Sequence, residues 1–398
     1  MRFRCLHFLC CFLFLASWAQ PASVLVLPLH NASQYSDLNW VGEAVADVLL
    51  TEFGSANQIV VDRDSMTEGF RRLSLRRDAD WTKASLIRLG QSLDVDYVCH
   101  GSYDASLPPG VTDLRKSTIR ITAHFIDLRK MHDGPELSEA GPLVDLSRSE
   151  EHLAWQSLKY LAPDTDPSLD AFLSPQKSIR IDAQESYVRG LLSPSGEQQQ
   201  KWFAQAVVLD PHFANPIFEL GKIALERRDY RGALSWFGRI PAGSPLYDQA
   251  RFKMGLSAYR AGDYSSAANN FRQVATVYPL NEIYNNLGAA EIQLNQPNAS
   301  DDLRRALEGD TSDPVYTFNF GIILLKSDQF DEAATRFQSV LDSNPDDAEA
   351  RSLLDRARSR LPVTSSSKLT ATARLKENYD EAAFRQMKSM FQAKRAKS

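Results

Sequence analysis

Small and apolar residues return at fixed intervals through the second half of the chain, between residues 183 and 361. A glycine preceded by an apolar residue recurs about every 33 residues. After three of these glycines come, in order, an alanine, a phenylalanine and a proline at constant spacing. Such spacing predicts a repeated unit of two helices joined by a turn. The positions are Gly221, Gly255, Gly288 and Gly321, then Ala233, Ala267 and Ala333, then Phe237, Phe271 and Phe337, and last Pro245, Pro279 and Pro345.

Each part of this unit has a physical role. The glycine and the alanine lie where we expect the two helices to cross, since larger side chains would hold the helices apart. Asp229, Asp263 and Asp328 lie in the predicted turns, where aspartate suits helix-capping or turn positions. The final proline ends the second helix, because it has no N–H group to donate and clashes with the preceding turn. One unit cannot bury its apolar face alone, so the units are expected to stack.

The unit around Gly288 departs from the pattern. Ser300 occupies its alanine position, Arg304 occupies its phenylalanine position, and the letters NQPNAS replace its turn. The flanking units keep their spacing, so we interpret this stretch as a repeat whose second helix is the least regular. A shortened earlier copy is centred on Gly190 and ends at Pro211.

The pattern resembles the tetratricopeptide repeat family, which implies an all-α solenoid over residues 183–361. In that family the first helix of each pair lines a concave groove that binds extended or helical peptides. The resemblance implies that positions at fixed offsets from each glycine face this groove. The polar candidates for protein binding are Lys222, Glu226, Gln249, Tyr259, Arg260, Asn285, Gln293 and Lys326. Phe218, Phe252 and Phe318 recur before the glycines, either as an aromatic strip in the groove or as core between repeats.

The charges among these candidates are mixed. Lys222, Arg260 and Lys326 are basic, whereas Glu226 is acidic. We therefore expect no ligand of a single charge sign. The set favours a peptide of mixed charge that also makes amide contacts.

In residues 23–162, by contrast with the repeats, sequence patterns typical of strands alternate with patterns typical of helices. Residues 23–29 form a short apolar run with β-branched side chains, which predicts a buried strand. Residues 37–53 carry apolar side chains at helical spacing, and residues 117–129 alternate apolar and polar side chains as a half-buried strand does. Further strands are predicted at residues 58–62 and 96–104, and further helices at 65–75, 81–94 and 149–161.

Four phrases in this region resemble the TolB amino-terminal domain family and its relatives around CsgG and FlgO. They are VLVLPLHNAS, LNWVGEAVADVLLTEF, LGQSLDVDYVCHGSY and IRITAHFIDL, within residues 23–129. The resemblance implies a small α/β domain with a mixed sheet, which contacts other proteins in the cell envelope and has no catalytic activity. No propeller blades follow, so the role of TolB in outer-membrane integrity does not carry over.

The amino terminus has the features of a secretory signal peptide over residues 1–22. Two arginines precede an apolar run over residues 5–16, and the small residues up to Ala19 suit a cut there, with Ala22 as the alternative. The run is too short to span a bilayer comfortably, although an uncleaved anchor is a second interpretation. Export to the periplasm is expected, with only indirect membrane association.

Two further segments are predicted to connect or close the domains. Residues 163–182 form a linker, rich in proline and turn formers, with a short helical turn near residues 169–172. Residues 362–398 form a flexible spacer and a terminal helix, which caps the last repeat, binds a partner, or frays in solution with its basic end. The sequence leaves open whether this helix fills the concave groove, which would make the protein self-inhibited. The apolar face of the predicted helix carries Leu375, Tyr379, Ala383, Met387 and Met390.

Composition and charge narrow the function. The net charge of −5 argues against a nucleic-acid binder, which would show a basic patch or a high isoelectric point. Outside the predicted signal peptide only Cys99 remains, too few cysteines for a disulfide or a cysteine-based metal site. His100 and His124, together with Cys99, give a thin metal-site hypothesis, with ordinary strand side chains as the alternative. No phosphate loop, nucleophile elbow or metal-protease motif occurs. The sequence predicts no enzyme, cofactor, metal or small-molecule substrate.

What remains is recognition of other proteins. The main hypothesis is a non-enzymatic bacterial cell-envelope protein that scaffolds an envelope complex, with the solenoid and the α/β domain each binding a protein or peptide partner. A second hypothesis is an oligomeric accessory of an outer-membrane assembly or secretion system, resembling the CsgG ring. A third is a periplasmic sensory module of a regulatory system, which would need a separate output protein.

Overall fold

The computed structural model describes residues 21–56, 58–76, 81–163, 168–173, 179–362, 373–380, 383, 384 and 387. An α/β domain comes first and a run of paired helices follows, so the predicted fold class is confirmed. The strands are β1 (Ser23–Val26), β2 (His30–Asn31), β3 (Ile59–Val60), β4 (Tyr97–Ser106), β5 (Thr118–Asp127) and β6 (His132–Pro142). The helices of this domain are α1 (Trp40–Ser55), α2 (Arg63–Arg72), α3 (Lys83–Ser92) and α4 (Leu146–Leu161).

The strands form one mixed sheet in the order β3-β1-β4-β5-β6, and β2 also pairs with β4. β1 runs parallel to β3 and β4, whereas β4, β5 and β6 are antiparallel. From Val24 onward β1 is apolar, because both of its faces are covered. Val24 and Val26 belong to the core on one side of the sheet, and Leu25 and Leu27 belong to the core on the other.

Helices cover the two sides of the sheet unequally. α1 and α4 contribute Trp40, Leu49 and Leu153 to the larger core, and α2 and α3 contribute Phe70 and Leu89 to the smaller one. From Thr118 to Phe125 of β5 buried residues alternate with more exposed ones, because only one face is packed there, whereas Ile126 joins the smaller core on the other face. This alternation is the half-buried pattern predicted from the sequence.

The solenoid consists of helix pairs in which the even-numbered helix comes first. The described part of the linker contains the short helix α5 (Leu169–Leu173), close to the helical turn expected there. The remaining helices are α6 (Ile181–Leu192), α7 (Gly196–Leu209), α8 (Ala214–Glu226), α9 (Tyr230–Phe237), α10 (Tyr247–Arg260), α11 (Tyr264–Val277), α12 (Asn281–Gln293), α13 (Ala299–Gly309), α14 (Pro314–Lys326), α15 (Phe330–Ser343) and α16 (Ala348–Arg358).

The repeat glycines allow the paired helices to touch. A Cβ atom added to Gly221 or Gly255 would lie 2.5 Å from the ring of the phenylalanine in the same repeat, and at Gly321 the distance would be 2.8 Å. All three phenylalanine rings are buried. The glycines therefore lie at the helix crossings, as predicted.

The turn aspartates occupy two kinds of position. Asp229 and Asp263 cap α9 and α11, where each carboxylate accepts a hydrogen bond from the backbone N–H three residues later, at 2.9 and 3.0 Å. Asp328 has a φ of +57°, in the left-handed region that ends α14. The predicted capping and turn roles are both present.

The irregular repeat is regular in structure but shifted by one residue. α13 is a complete second helix, and its buried positions are Ala299 and Leu303, not Ser300 and Arg304. A Cβ atom on Gly288 would lie 2.6 Å from Leu303, which fills the place of the phenylalanine ring. The predicted alignment was wrong because the buried alanine follows the repeat glycine by 11 residues here (288 to 299), whereas it follows by 12 in the other repeats (221 to 233).

The α/β domain and the solenoid share one core. Val24 of β1, Phe53 of α1 and Tyr187 of α6 belong to the same cluster of buried apolar side chains. Within the junction, Glu150 of α4 is fully buried and accepts a hydrogen bond from the Gln184 side chain of α6 at 2.7 Å. The linker therefore connects two domains that are in direct contact.

Two findings bear on the predicted signal peptide and on membrane association. The predicted signal peptide lies outside the described residues up to residue 20. Ala22 is buried, and its N–H group donates to the Gln58 side chain at 3.0 Å while its carbonyl oxygen accepts from the Ile59 N–H at 2.9 Å. Within the described part of the chain, no helix combines the length and the apolar content needed to cross a membrane.

Candidate peptide-binding groove

Three buried asparagines form a row across neighbouring first helices. Asn285 and Asn286 lie on α12, and Asn319 lies one repeat later on α14. The Asn319 amide donates to Asn285 Oδ1 at 2.7 Å, and the Asn285 amide donates to Asn286 Oδ1 at 3.1 Å. Buried amides need hydrogen-bond partners. The remaining donors and acceptors of this row must therefore be satisfied by another part of the protein or by a ligand.

The described residues between 373 and 387, which we call the terminal segment, supply these partners. The Arg374 N–H donates to Asn319 Oδ1 at 2.8 Å, and its carbonyl oxygen accepts from Asn319 at 2.7 Å and from Asn285 at 3.0 Å. Lys376 repeats this pairing with Asn286, at 2.8 Å in both directions. Each outer asparagine thus pairs with the backbone as an adjacent strand would.

Two acidic residues at the start of α16 hold the arginine of the segment. The Arg374 guanidinium donates to both carboxylate oxygens of Asp347 at 2.7 and 2.9 Å, and to Glu349 at 3.3 Å. It also lies 3.5 Å from the centre of the Phe318 ring. Bidentate pairing and stacking on a ring are both favourable for arginine. Hydrogen bonds from Arg374 also lower the pKa of Asp347.

The charges along the groove change sign from one end to the other. The Lys376 ammonium pairs with Asp313, next to the aspartate that holds the arginine. Further along, Arg260 pairs with the Glu377 carboxylate, and Lys253 donates to the Glu377 carbonyl oxygen at 3.0 Å. The groove is therefore acidic near α14 and α16 and basic along α10.

Aromatic contacts hold the remainder of the segment. The Tyr379 ring lies 4.9 Å from Phe252, and the Phe384 ring lies 4.2 Å from Tyr278, with Phe384 only 3% exposed. At the other end, the Tyr259 hydroxyl donates to the carbonyl oxygen of Ala373 at 3.0 Å. Arg374 thus contacts α12, α14 and the start of α16, whereas Ala373, Glu377 and Tyr379 contact α10.

The predicted groove residues fall into two groups. Tyr259, Arg260 and Asn285 contact the terminal segment. Three of the other predicted residues contact the solenoid itself. Gln293 bonds to Tyr259, Lys326 donates to the Ile292 carbonyl and the Asn295 side chain, and Lys222 pairs with Glu219. Gln249 is half-buried and Glu226 is exposed. A protein-binding role stays a prediction for all eight.

The recurring phenylalanines serve both roles that the sequence left open. Phe252 and Phe318 are completely buried, and each packs edge-on against the phenylalanine of its own second helix at 5.8 Å. Their other sides carry the Tyr379 ring and the Arg374 guanidinium. Phe218 packs against Phe237 at 5.4 Å in the same way. These rings are core residues that also form the floor of the groove.

Counting from the glycines missed several residues of the groove. Lys253, Asn286 and Asn319 each lie two positions before a repeat glycine, an offset that the prediction left out. Asp313 and Asp347, which cap α14 and α16, lie outside the counted helices altogether. The asparagines themselves could have indicated the groove, since polar amides inside the apolar segments YNNLG and FNFG have no role in packing.

The predicted terminal helix begins later than expected. Residues 373–380 contain no helix, and of the described residues beyond them 383, 384 and 387 are helical. Leu375 and Tyr379 therefore do not share a helical face, although both are partly buried against the solenoid core. The cause is the asparagine row, because its side chains form hydrogen bonds with the backbone N–H and carbonyl groups of Arg374 and Lys376, which a helix would use for its own hydrogen bonds. Met390 lies outside the described residues.

The metal-site hypothesis in the α/β domain is not supported by the geometry. His100 and His124 are cross-strand neighbours whose rings stack at 5.4 Å. Cys99 faces the opposite side of the sheet, where burial raises the pKa of its thiol to about 12. Adjacent residues of a strand point to opposite faces, so the three side chains cannot converge on one ion. Among the described residues no cluster of potential metal ligands was found.

Comparisons with known proteins agree with the helical repeats. The model of the tetratricopeptide repeat family matches residues 252–314 and 318–354. The solved structure of YrrB, a tetratricopeptide repeat protein with an unusual peptide-binding site, is 19% identical, with 48% of this chain and 91% of that chain covered and a TM-score of 0.35.

Two other solved structures are similar at the same low level. PilF of Pseudomonas aeruginosa is 17% identical, with 50% of this chain and 89% of that chain covered and a TM-score of 0.36. The lipoprotein GNA1162 from Neisseria meningitidis is 22% identical, with 31% and 81% covered and a TM-score of 0.25. Matches at this level carry no argument about function. No curated protein matches the sequence.

Proposed function

We propose that this tetratricopeptide repeat protein binds an extended segment of another protein in its concave groove and thereby scaffolds a complex in the bacterial cell envelope. The observation that carries the proposal is the pairing of Asn286 and Asn319 with the backbone of the terminal segment. A groove that already binds one extended peptide through its backbone has the hydrogen-bonding groups to bind another. The contacts are those of recognition, and we propose no catalytic role.

The envelope location rests on the amino-terminal half of the chain. The predicted signal peptide and the resemblance to the TolB amino-terminal family both support export, with the α/β domain as a second surface for protein contacts. A cut after Ala19 would keep Ala22 and its hydrogen bonds to Gln58 and Ile59. We therefore favour Ala19 over Ala22 as the cleavage position. The ring-accessory and sensory alternatives rest on the same resemblance and gain no separate support from the contacts described.

Replacing Asn286 and Asn319 together by leucine should abolish partner binding. Leucine has a similar volume but cannot pair with a peptide backbone, and each lost hydrogen bond costs about 1 kcal/mol. Losing at least one hydrogen bond at each of the two asparagines therefore weakens partner binding by at least about 2 kcal/mol, which is a loss of affinity of about 30-fold. The measurement is affinity purification with mass spectrometry from crosslinked envelopes, using the full-length chain and the Asn286→Leu/Asn319→Leu variant.

A control is available on the second helices, which do not line the predicted groove. Lys201→Ala/Arg304→Ala removes two exposed charges from ion pairs within α7 and α13, and it should retain the partner. Circular dichroism and thermal melting establish first that all variants fold. An unchanged partner profile in the asparagine variant would place binding outside the groove and refute the proposal.

A further inference from the structure

The terminal segment shows which side chains the groove selects, in addition to the backbone that it pairs with. Arg374 contacts Asp347, Glu349 and the Phe318 ring, and Lys376 contacts Asp313. Two residues apart in an extended chain, side chains point to the same side. The acidic end of the groove is therefore built for two basic residues separated by one other residue.

The opposite end of the groove requires a different chemistry. Arg260 pairs with the acidic Glu377, and the ring of Phe252 packs against Tyr379. Because the groove changes charge sign along its length, a ligand in the reverse direction would place like charges together. The groove thus fixes the direction of the ligand as well as its side chains.

The segment in the groove belongs to the same chain, so any partner must compete with it. A tethered ligand has an effective concentration in the millimolar range when the tether is short. A free ligand then binds with its intrinsic affinity multiplied by the fraction of molecules whose groove is free. The Arg374 and Lys376 side chains are each 26% exposed, so their ion pairs lie at the surface of the complex and can be exchanged without unfolding the solenoid.

We infer that the groove recognises a linear motif of arginine, an apolar residue, lysine, an acidic residue, a residue whose side chain accepts a hydrogen bond, and an aromatic residue, and that residues 374–379 are a built-in competitor for partners that carry it. This inference rests on the proposed function of the groove and adds the chemistry of the partner. The partner is a protein with an extended segment of this charge order. Proline is excluded at the arginine and lysine positions, since both backbone N–H groups donate to asparagines.

The test measures binding of a fluorescein-labelled peptide with the sequence of residues 371–388 to full-length chains by anisotropy. Arg374→Ala/Lys376→Ala in the chain weakens the competitor, so this variant should bind the peptide about 10- to 30-fold more tightly than the wild type. Lys201→Ala/Arg304→Ala removes the same charge from ion pairs within α7 and α13, and should bind like the wild type. A peptide with alanine at both basic positions should bind at least about 10-fold more weakly.

Several outcomes would overturn the inference, and they differ from failure of the proposed function. If the wild type and the Arg374→Ala/Lys376→Ala variant bind the peptide with equal affinity, the terminal segment does not compete with partners. If both peptides bind equally well, the groove does not recognise the proposed motif. In either case the groove would still be a peptide-binding site. Light scattering tests a further alternative. If the wild type is an oligomer and the same variant is not, the terminal segment binds the groove of another copy and is not a competitor within its own chain. If the variant with the weakened competitor binds neither peptide, the proposed function itself fails. Lys253→Ala/Arg260→Ala, changes at exposed groove positions, should weaken peptide binding even if the asparagine variant does not fold.

Discussion

Replacing Glu150 by glutamine is expected to stabilise the folded protein by several kcal/mol at pH 8 and much less at pH 5. The Glu150 carboxyl is fully buried at the junction of α4 and α6, with one oxygen bonded to Gln184 and the other without a partner. Burial raises its pKa from 4.5 to about 8. Glutamine keeps the shape and the hydrogen bond, and it is neutral at every pH, so its burial does not require the side chain to take up a proton on folding.

The sign of the pH effect follows from the raised pKa. Between pH 4.5 and 8 the unfolded chain releases the Glu150 proton while the folded chain keeps it. The folded state therefore loses stability relative to the unfolded state as the pH rises through this window, by up to about 1.4 kcal/mol per pH unit. Below pH 4.5 the carboxyl is protonated in both states, and the contribution disappears.

Urea unfolding of the wild type and of Glu150→Gln at pH 6 and pH 8 measures this effect directly. The difference in the free energy of unfolding should grow by about 2 kcal/mol between the two pH values. Glu308→Gln, which neutralises an exposed glutamate on α13, should differ from the wild type by less than about 0.5 kcal/mol. Parallel pH dependences of the wild type and Glu150→Gln would show that this carboxyl is not buried at the junction.

Gly42→Ala should destabilise the α/β domain by about 3 kcal/mol, although alanine favours helices. Gly42 lies on α1 where the helix passes the backbone after β1, and the N–H of Leu29 donates to its carbonyl oxygen at 3.2 Å. An added Cβ atom would lie 2.0 Å from the carbonyl oxygen of Leu29. Because the obstacle is backbone, the helix and the strand must move apart, and the cost exceeds the gain in helix propensity of about 1 kcal/mol.

The same helix provides the matched control. Gly54 has open space around it, since the nearest atom to an added Cβ is a Val60 methyl group at 3.9 Å. Gly54→Ala should therefore leave stability unchanged or raise it by up to about 1 kcal/mol. Chemical denaturation followed by circular dichroism compares the two variants. If both had the same stability as the wild type, the close approach of α1 to the sheet would be refuted.

The solenoid was predictable because its spacing reflects a local steric requirement. Where two helices cross, only a glycine fits against a large side chain sixteen residues later, and Gly221, Gly255 and Gly321 meet this condition. The repeat around Gly288 was misaligned because its second helix places Ala299 and Leu303 one residue closer to the glycine, so Leu303 takes the place of the ring. A fixed offset cannot detect such a shift.

The groove was predictable only in part. Offsets from the glycines identify the exposed side of a first helix, which is how Tyr259, Arg260 and Asn285 were selected. Asn286 and Asn319 were missed because both lie two positions before a repeat glycine, an offset that the prediction left out. Their partners, Lys376 and Arg374, are 90 and 55 residues away in the sequence, and no local pattern connects them.

The terminal segment shows how tertiary contacts override periodicity. Leu375, Tyr379, Ala383 and Met387 have helical spacing, and the described residues are helical at 383, 384 and 387. The first part of the segment is extended because the asparagine row takes the backbone groups that a helix would use. Sequence alone assigns these backbone groups to a helix, since the competing partners lie in other repeats.

Hydrogen–deuterium exchange with residue resolution at the amides of Arg374 and Lys376 tests the central claim most directly. Both amides donate to buried asparagines, and in the full-length protein they should exchange at least about 100-fold more slowly than in a free peptide of the same sequence. The Asn286→Leu/Asn319→Leu variant should return both amides to the rate of the free peptide. Exchange at the free-peptide rate in the wild-type protein would show that the terminal segment does not occupy the groove, and the account would be wrong.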